Sequence, residues 1–198
     1  LEDDFYLRVV NDPLERDCVI VAPGEDWVKI TFSLIGKLQR NFGDDHAFEY
    51  SQGYAGLYFH PPGVEKLEGG EDVNWGTSVT LYLTRPRLLA VLGDMAAQLP
   101  PHIQTMLHKG DEAVMWESLP ITNAMIRAVV DIANTPFVGQ LRHTFVKAKG
   151  FELLCDAIFL LCHQEETEVA EMRLSARDKR QLEMARDTLL ENYVAAPT

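Results

Sequence analysis

Six histidines, three cysteines and a dense set of aromatic residues are the parts of this 198-residue sequence that could do chemistry. Metal binding needs ligands at set spacings, and the sequence has no H-x-H pair, no C-x-x-C and no H-E-x-x-H. His46 stands alone, and His60 is followed by Pro-Pro-Gly. His102 and His108 flank a predicted turn and read as surface residues. His143 and His163 read as polar-face or helix-end positions. No metal and no other cofactor is expected. Nucleophilic catalysis lacks a G-x-S-x-G elbow, and Cys162 and His163, adjacent on a helix, point in different directions. The glycines of GYAG at 53–56 and of Gly69-Gly70 lack the strand, loop and helix context of a phosphate cradle. None of this reads as an enzyme.

A small-molecule pocket is the better expectation. Trp27, Phe32, Phe48, Tyr50, Tyr58, Phe59, His60, Trp75 and Tyr82 crowd one part of the chain. Such residues either fill a core or wall a pocket, where aromatic surfaces with few polar groups hold small ligands. Tyr50, Tyr58, His60 and Tyr82 combine an apolar body with a polar tip, and with Phe48 and Trp75 they form the expected binding set. His60 leads it. Lys29 and Arg85 could meet an anion but read as solvated charges. The formal net charge of −12, from 30 acidic and 18 basic residues, disfavours nucleic-acid binding by this chain alone. The acidity reads as ordinary solubility, with a cationic ligand as the sharper alternative.

The elements that would position these residues are strands first and helices after. From Phe5 to about Thr84, short apolar runs alternate with Gly and Pro turns. In DWVKITFSLIG, Val28, Ile30, Phe32 and Leu34 share one face and Lys29, Thr31 and Ser33 the other, the pattern of a half-buried strand. NWGTSVTLYLT is the longest expected strand. Spacing of this kind gives an antiparallel sandwich or small barrel. Thr84 then caps a helix with Pro86 in its first turn, and HIQTMLHKG makes a short helical turn. DEAVMWESL is a loop or edge strand, and Ser118 is the expected cap of the helix through Asn134.

A long helix follows, LRHTFVKAKGFELLCDAIFLLCH, whose apolar positions recur every three and four residues from Leu141 to Cys162. From Phe151 its apolar band widens, so two buried faces are expected, one against its own domain and one against a second copy. Phe145, Phe151, Leu154, Ile158, Phe159 and Leu161 are the expected dimer contacts. Cys155 and Cys162 are two turns apart, too far to bridge, so with Cys18 they read as buried reduced thiols of a cytoplasmic protein. No run is long and apolar enough for a membrane span, and the 46% apolar content supports a folded core. The acidic stretch HQEETEVAEMR then leads to LSARDKRQLEMARDTLLENYVAAPT, where Ser175 can cap a helix that ends near Pro197.

That last segment resembles the helix that leads into the DNA-binding region of AraC/XylS-type transcription regulators. AKGFELLCDAIFLL resembles the "KALELL" helix of the branch that includes the pyochelin siderophore regulator. The resemblance covers roughly Phe137 to Thr198 and implies an α+β chain. Residues 1–84 would be a cupin-like antiparallel β-sandwich or barrel that binds an effector, and 85–165 a helical dimerisation subdomain. Residues 166–198 would be the linker and first helix before a helix-turn-helix domain that is absent here. It also implies a cytoplasmic homodimer that senses an iron-siderophore complex, a fatty acid or an aromatic metabolite, and that meets DNA only through the missing domain. A cupin-type small-molecule-binding protein or metal-dependent enzyme is the alternative.

Overall fold

A computed structural model describes residues 4–34, 37–42, 46–50, 53–109 and 113–163. Its strands are β1 (Phe5–Ala22), β2 (Val28–Ser33), β3 (Lys37–Phe42), β4 (His46–Tyr50), β5 (Tyr54–Phe59), β6 (Lys66–Leu83) and β7 (Met115–Leu119). Its helices are α1 (Arg85–Leu92), α2 (Pro101–Lys109), α3 (Asn123–Ala133) and α4 (Gly139–Cys162), and a 3-10 helix at Gly93–Gln98 follows α1. The fold is α+β with antiparallel pairing throughout.

Two of the strands are far longer than the turn signals suggest. β1 and β6 have 18 residues each and pair from Phe5↔Leu83 to Ala22↔Lys66. Pro13, which has no N–H to give, falls in a register shift between Asp12 and Glu15. The other edge of β6 is shared by β2, opposite Ser78–Leu83, and β3, opposite Lys66–Asn74. β5 extends the β2 half, β7 extends β5, and β4 extends the β3 half. Among the described residues no pairing joins one edge of the sheet to the other, so it is not a closed barrel.

Alternation along the strands sorts their side chains. Phe5, Val28, Ile30, Phe32, Leu57, Phe59, Val79, Leu81 and Leu83 are buried on one face. Met125, Ala128, Val129 and Ile132 of α3 belong to the same core, as do Leu153, Leu154, Ala157, Ile158 and Leu161 of α4. One core therefore spans strands and helices. The compact unit runs over residues 1–162 with no break at 84. Apart from His163, the second unit, residues 163–198, lies outside the described residues, and with it the expected Ser175-capped helix.

Helix α4 packs tightly on the sheet at Gly150, where a Cβ would stand 2.9 Å from Leu7 Cδ1 and 3.6 Å from Leu81 Cδ2. Before it, residues 139–149 are exposed or half-buried; after it the buried stripe begins. The widening of the apolar band at Phe151 thus marks where the helix docks. Gly150, Leu153, Leu154, Ala157, Ile158 and Leu161 make one buried stripe against the chain's own core. Leu154, Ile158 and Leu161, expected at a dimer contact, are in the core of their own domain, and Phe151 stacks on Phe5 with ring centroids 5.0 Å apart. Phe145 is half-buried and Phe159 is 58% exposed. Cys155 is exposed, not buried; Cys162 is half-buried, and burial raises its thiol pKa.

The helix caps follow the sequence in one case and depart from it in another. Thr84 accepts from the Arg87 amide at 3.3 Å, with Pro86 in the first turn. Ser118, the expected cap of α3, lies instead in β7 opposite Gly56, because residues 115–119 complete the sheet edge beside β5. The hydroxyl of Thr122 caps the helix and accepts from the Met125 amide at 3.2 Å. In urea denaturation, Thr122→Ala lowers stability by about 1 kcal/mol, the usual value of such a cap. Ser118→Ala, at an exposed strand position, changes it by less than about 0.5 kcal/mol. The reverse order would restore Ser118 as the cap.

Candidate functional site

The face of the sheet turned away from the helices is polar and aromatic. Tyr82 stands between Tyr6 and Lys29; Lys29 stands opposite Tyr58, and Tyr58 opposite Trp116. The next row is Arg8, Thr80 and Thr31, and the one after it Val10, Ser78, Ser33 and Tyr54. On the other half of the sheet Arg40 and Phe42 of β3 stand opposite Glu68 and Lys66 of β6. Lys66 and Tyr82 lie on one strand, roughly 50 Å apart if it were straight. Both line a single cavity, so the sheet folds over on itself. Gly76, at φ +54° within β6, supplies a backbone angle that other residues rarely adopt. The cavity has a volume of about 30 Å³, room for roughly two waters, and the empty space inside its outline, open solvent at the mouth included, is about 450 Å³.

Glu68 is the centre of its electrostatics. Its Oε1 accepts from Arg40 Nε at 2.9 Å and also from Arg40 Nη2, and its Oε2 accepts from Lys66 Nζ at 2.7 Å. Arg40 Nη2 also donates to the Tyr54 hydroxyl at 3.3 Å. Burial alone would raise the Glu68 pKa; Arg40 and Lys66 overcome that and hold it at about 2. Burial pushes Lys66 down, with Arg40 adding to it against the pull of Glu68. Burial brings Lys29 to about 8, although Glu25 Oε2 lies 3.2 Å from its Nζ.

His60 reports the same field. Burial first, then Lys29 and Lys66, lower its pKa to about 4, so the ring is neutral near pH 7. Its Nε2–H donates to the Pro23 carbonyl at 3.1 Å, which leaves Nδ1 to accept from Lys29 Nζ at 3.5 Å. The Tyr58 ring sits among the cations: Arg40 Cζ is 4.8 Å, Lys66 Nζ 5.5 Å and Lys29 Nζ 5.9 Å from its centroid. Trp116 stacks on Tyr58 at 5.5 Å, with Arg40 Cζ 5.4 Å from the indole. Burial raises the Tyr58 hydroxyl to about 12, so it too is neutral.

Of the binding set read from sequence, Tyr58 and Tyr82 line the cavity. His60 is fully buried beside Lys29 but is not part of the wall. Phe48, Tyr50 and Trp75 lie on β4 and β6, but their side chains are outside the described residues. Lys29 is 3% exposed, which overturns its reading as a solvated charge; Arg85 pairs with Asp26. Sequence reading passed over Arg8, Arg40, Tyr54, Lys66 and Glu68, all of which line the cavity. The signal available was the even-numbered alternation Lys66, Glu68 and Ser78, Thr80, Tyr82 along β6. The described lining carries three cations against one carboxylate, which argues against the cationic ligand that the overall acidity suggested. Among the described residues no group of three or more His, Cys, Asp or Glu side chains is placed to hold a metal ion.

No protein-family model matches the sequence, and no curated protein is significantly similar to it. Among solved structures, protein NMB1881 from Neisseria meningitidis is 15% identical and aligns over 42% of this chain and 79% of its own. Its TM-score of 0.31 is too low to carry an argument about fold or function.

Replacing the carboxylate tests the site's electrostatics. Glu68→Gln leaves Arg40 and Lys66 buried without their anion and destabilises the chain by about 3 kcal/mol. The wild-type folded pKa of about 2 lies below the ordinary 4.5, so the contribution is complete above pH 4.5. It disappears as pH falls through 2. Denaturation curves of the two proteins therefore differ at neutral pH and converge in acid; a constant difference would contradict this account.

Proposed function

We propose that this chain is the effector-sensing and dimerisation portion of an AraC/XylS-type transcription regulator, with residues 1–84 forming a cupin-like sandwich. The observation that carries the sensing part is the cavity, whose charged and aromatic walls stand on the back of the strands that support α3 and α4. A ligand that favours one spacing of β2, β5 and β6 also favours one seating of those helices. It shifts DNA binding only by its difference in affinity for the two arrangements. The regulator part is supported by the resemblance of Leu174–Thr198 to the segment that leads into the helix-turn-helix region.

The same reading makes the protein a cytoplasmic homodimer. No helix among the described residues is long and apolar enough to cross a membrane. Exposed apolar side chains for self-association are Phe159 of the expected set, joined by Ile126 and Val130 of α3 and by Phe137, Val138 and Leu141 at the start of α4. Phe145 packs edge-on against Phe137 with centroids 5.0 Å apart.

The test compares this 198-residue chain with the product of its whole coding sequence, by fluorescence anisotropy on duplex DNA from upstream of the gene. The full product is expected to carry a helix-turn-helix pattern after Thr198 and to bind. The short chain, at net charge −12, is expected not to bind. A coding sequence without that pattern, or DNA binding by the short chain, overturns the reading.

A further inference from the structure

We infer that the outer edge of β1 at Cys18 to Ala22 is a self-association surface, where the same five residues of a second copy pair antiparallel and continue the sheet. These residues belong neither to the cavity wall nor to α3 and α4, and the inference does not rest on the regulator reading.

The first argument is the edge itself. Among the described residues β1 pairs with β6 alone, so one side of its 18-residue backbone has no neighbouring strand. Such an edge offers a row of N–H and C=O groups to any extended chain, and charges, proline or a bulge usually blunt it. Most of β1 is blunted in this way. Arg8 and Asn11 are exposed, and Asp12, Pro13, Glu15, Arg16 and Asp17 follow, with register shifts between Asp12 and Glu15 and between Arg16 and Cys18. The last five residues, CVIVA, carry no charge and no proline, and from Cys18 onward the register is unbroken. Here Val19, Ile20 and Val21 are 63%, 40% and 55% exposed, and Leu67, opposite Val21, is 39% exposed. Three consecutive exposed β-branched residues suit a pleated partner better than water.

The second argument picks the partner. CVIVA reads almost the same in both directions. An antiparallel copy centred on Ile20 sets Ile20 against its own image, Val19 against Val21 twice, and Cys18 against Ala22 at the ends. A two-fold contact needs that self-complementarity, which an unrelated peptide would match only by chance. Charge points the same way. Two copies at net charge −12 repel one another, and along this run no charge faces its image. Five paired residues a side bury less than the roughly 1,200 Å² of stable complexes, so a Kd of about 10–100 µM is expected.

The test is sedimentation equilibrium between about 5 and 500 µM, with disulfides to report the register. The average mass of the chain is expected to rise with concentration, by up to about twofold. Val19→Lys and Val21→Lys in one chain, both at exposed positions and checked for folding by circular dichroism, set lysines opposite one another. They are expected to abolish the rise. With Cys18 and Cys155 changed to serine, Ile20→Cys is expected to cross-link to its own copy on mild oxidation. Cα atoms paired across an antiparallel ladder are about 4.5–5.5 Å apart, within disulfide reach. Val19→Cys in the same background, offset from its image by two residues, is expected not to cross-link. A mass that stays constant, a rise that survives the two lysines, or cross-linking at 19 as readily as at 20 overturns the inference.

Discussion

One buried carboxylate, Glu68, holds two buried cations, and the polar half of this molecule is arranged around that contact. Arg40 stands directly across the ladder from Glu68, and Lys66 lies two residues before it on the same face of β6. The contact lies within the β3 half of the sheet, and Arg40 Nη2 carries it across to the β2 half by donating to the Tyr54 hydroxyl on β5. Lys29, Lys66 and Arg40 all approach the ring of Tyr58, and His60 stays neutral behind them. Buried ion clusters of this kind are often less stabilising than an apolar replacement would be.

The sheet makes the cavity possible by burying both of its faces with different chemistry. The face made by the odd-numbered residues of β1, β5 and β6 and the even-numbered residues of β2 is aliphatic and aromatic and carries α3 and α4. The opposite face is hydroxyl, phenol and charge. The two faces share a single backbone, so the cavity wall and the helix seat are one strand thickness apart. Helix α4 reaches the sheet through Gly150, where nothing larger than hydrogen separates it from Leu7 and Leu81.

Much of the apolar face was legible in the sequence, because Val28, Ile30 and Phe32 alternate with polar residues over a strand-length run. Tyr58 and Tyr82 were legible as pocket residues because a phenol serves both an apolar wall and a polar contact. Thr84 was legible as a cap. Lys29, Arg40, Lys66 and Glu68 were not, since a polar strand face reads the same whether it meets solvent or a cavity. What distinguishes the two is the folding-over of β6, and its partners Arg40 and Glu68 are 28 residues apart in sequence. Ser118 and Thr122 both precede the α3 stripe; only the pairing of β7 with β5 decides between them. In α4, the sequence did not tell which apolar residues face the chain's own core; Leu154, Ile158 and Leu161 do, while Leu141 and Phe159 stay exposed.

The most direct measurement is the titration of the His60 imidazole by NMR, with His60→Gln used to assign its signals. The account expects a pKa of about 4, with the Nε2–H tautomer held against the Pro23 carbonyl throughout the neutral range. A pKa near the ordinary 6.5 would mean a solvated ring outside any cationic field, and would contradict the account at its centre.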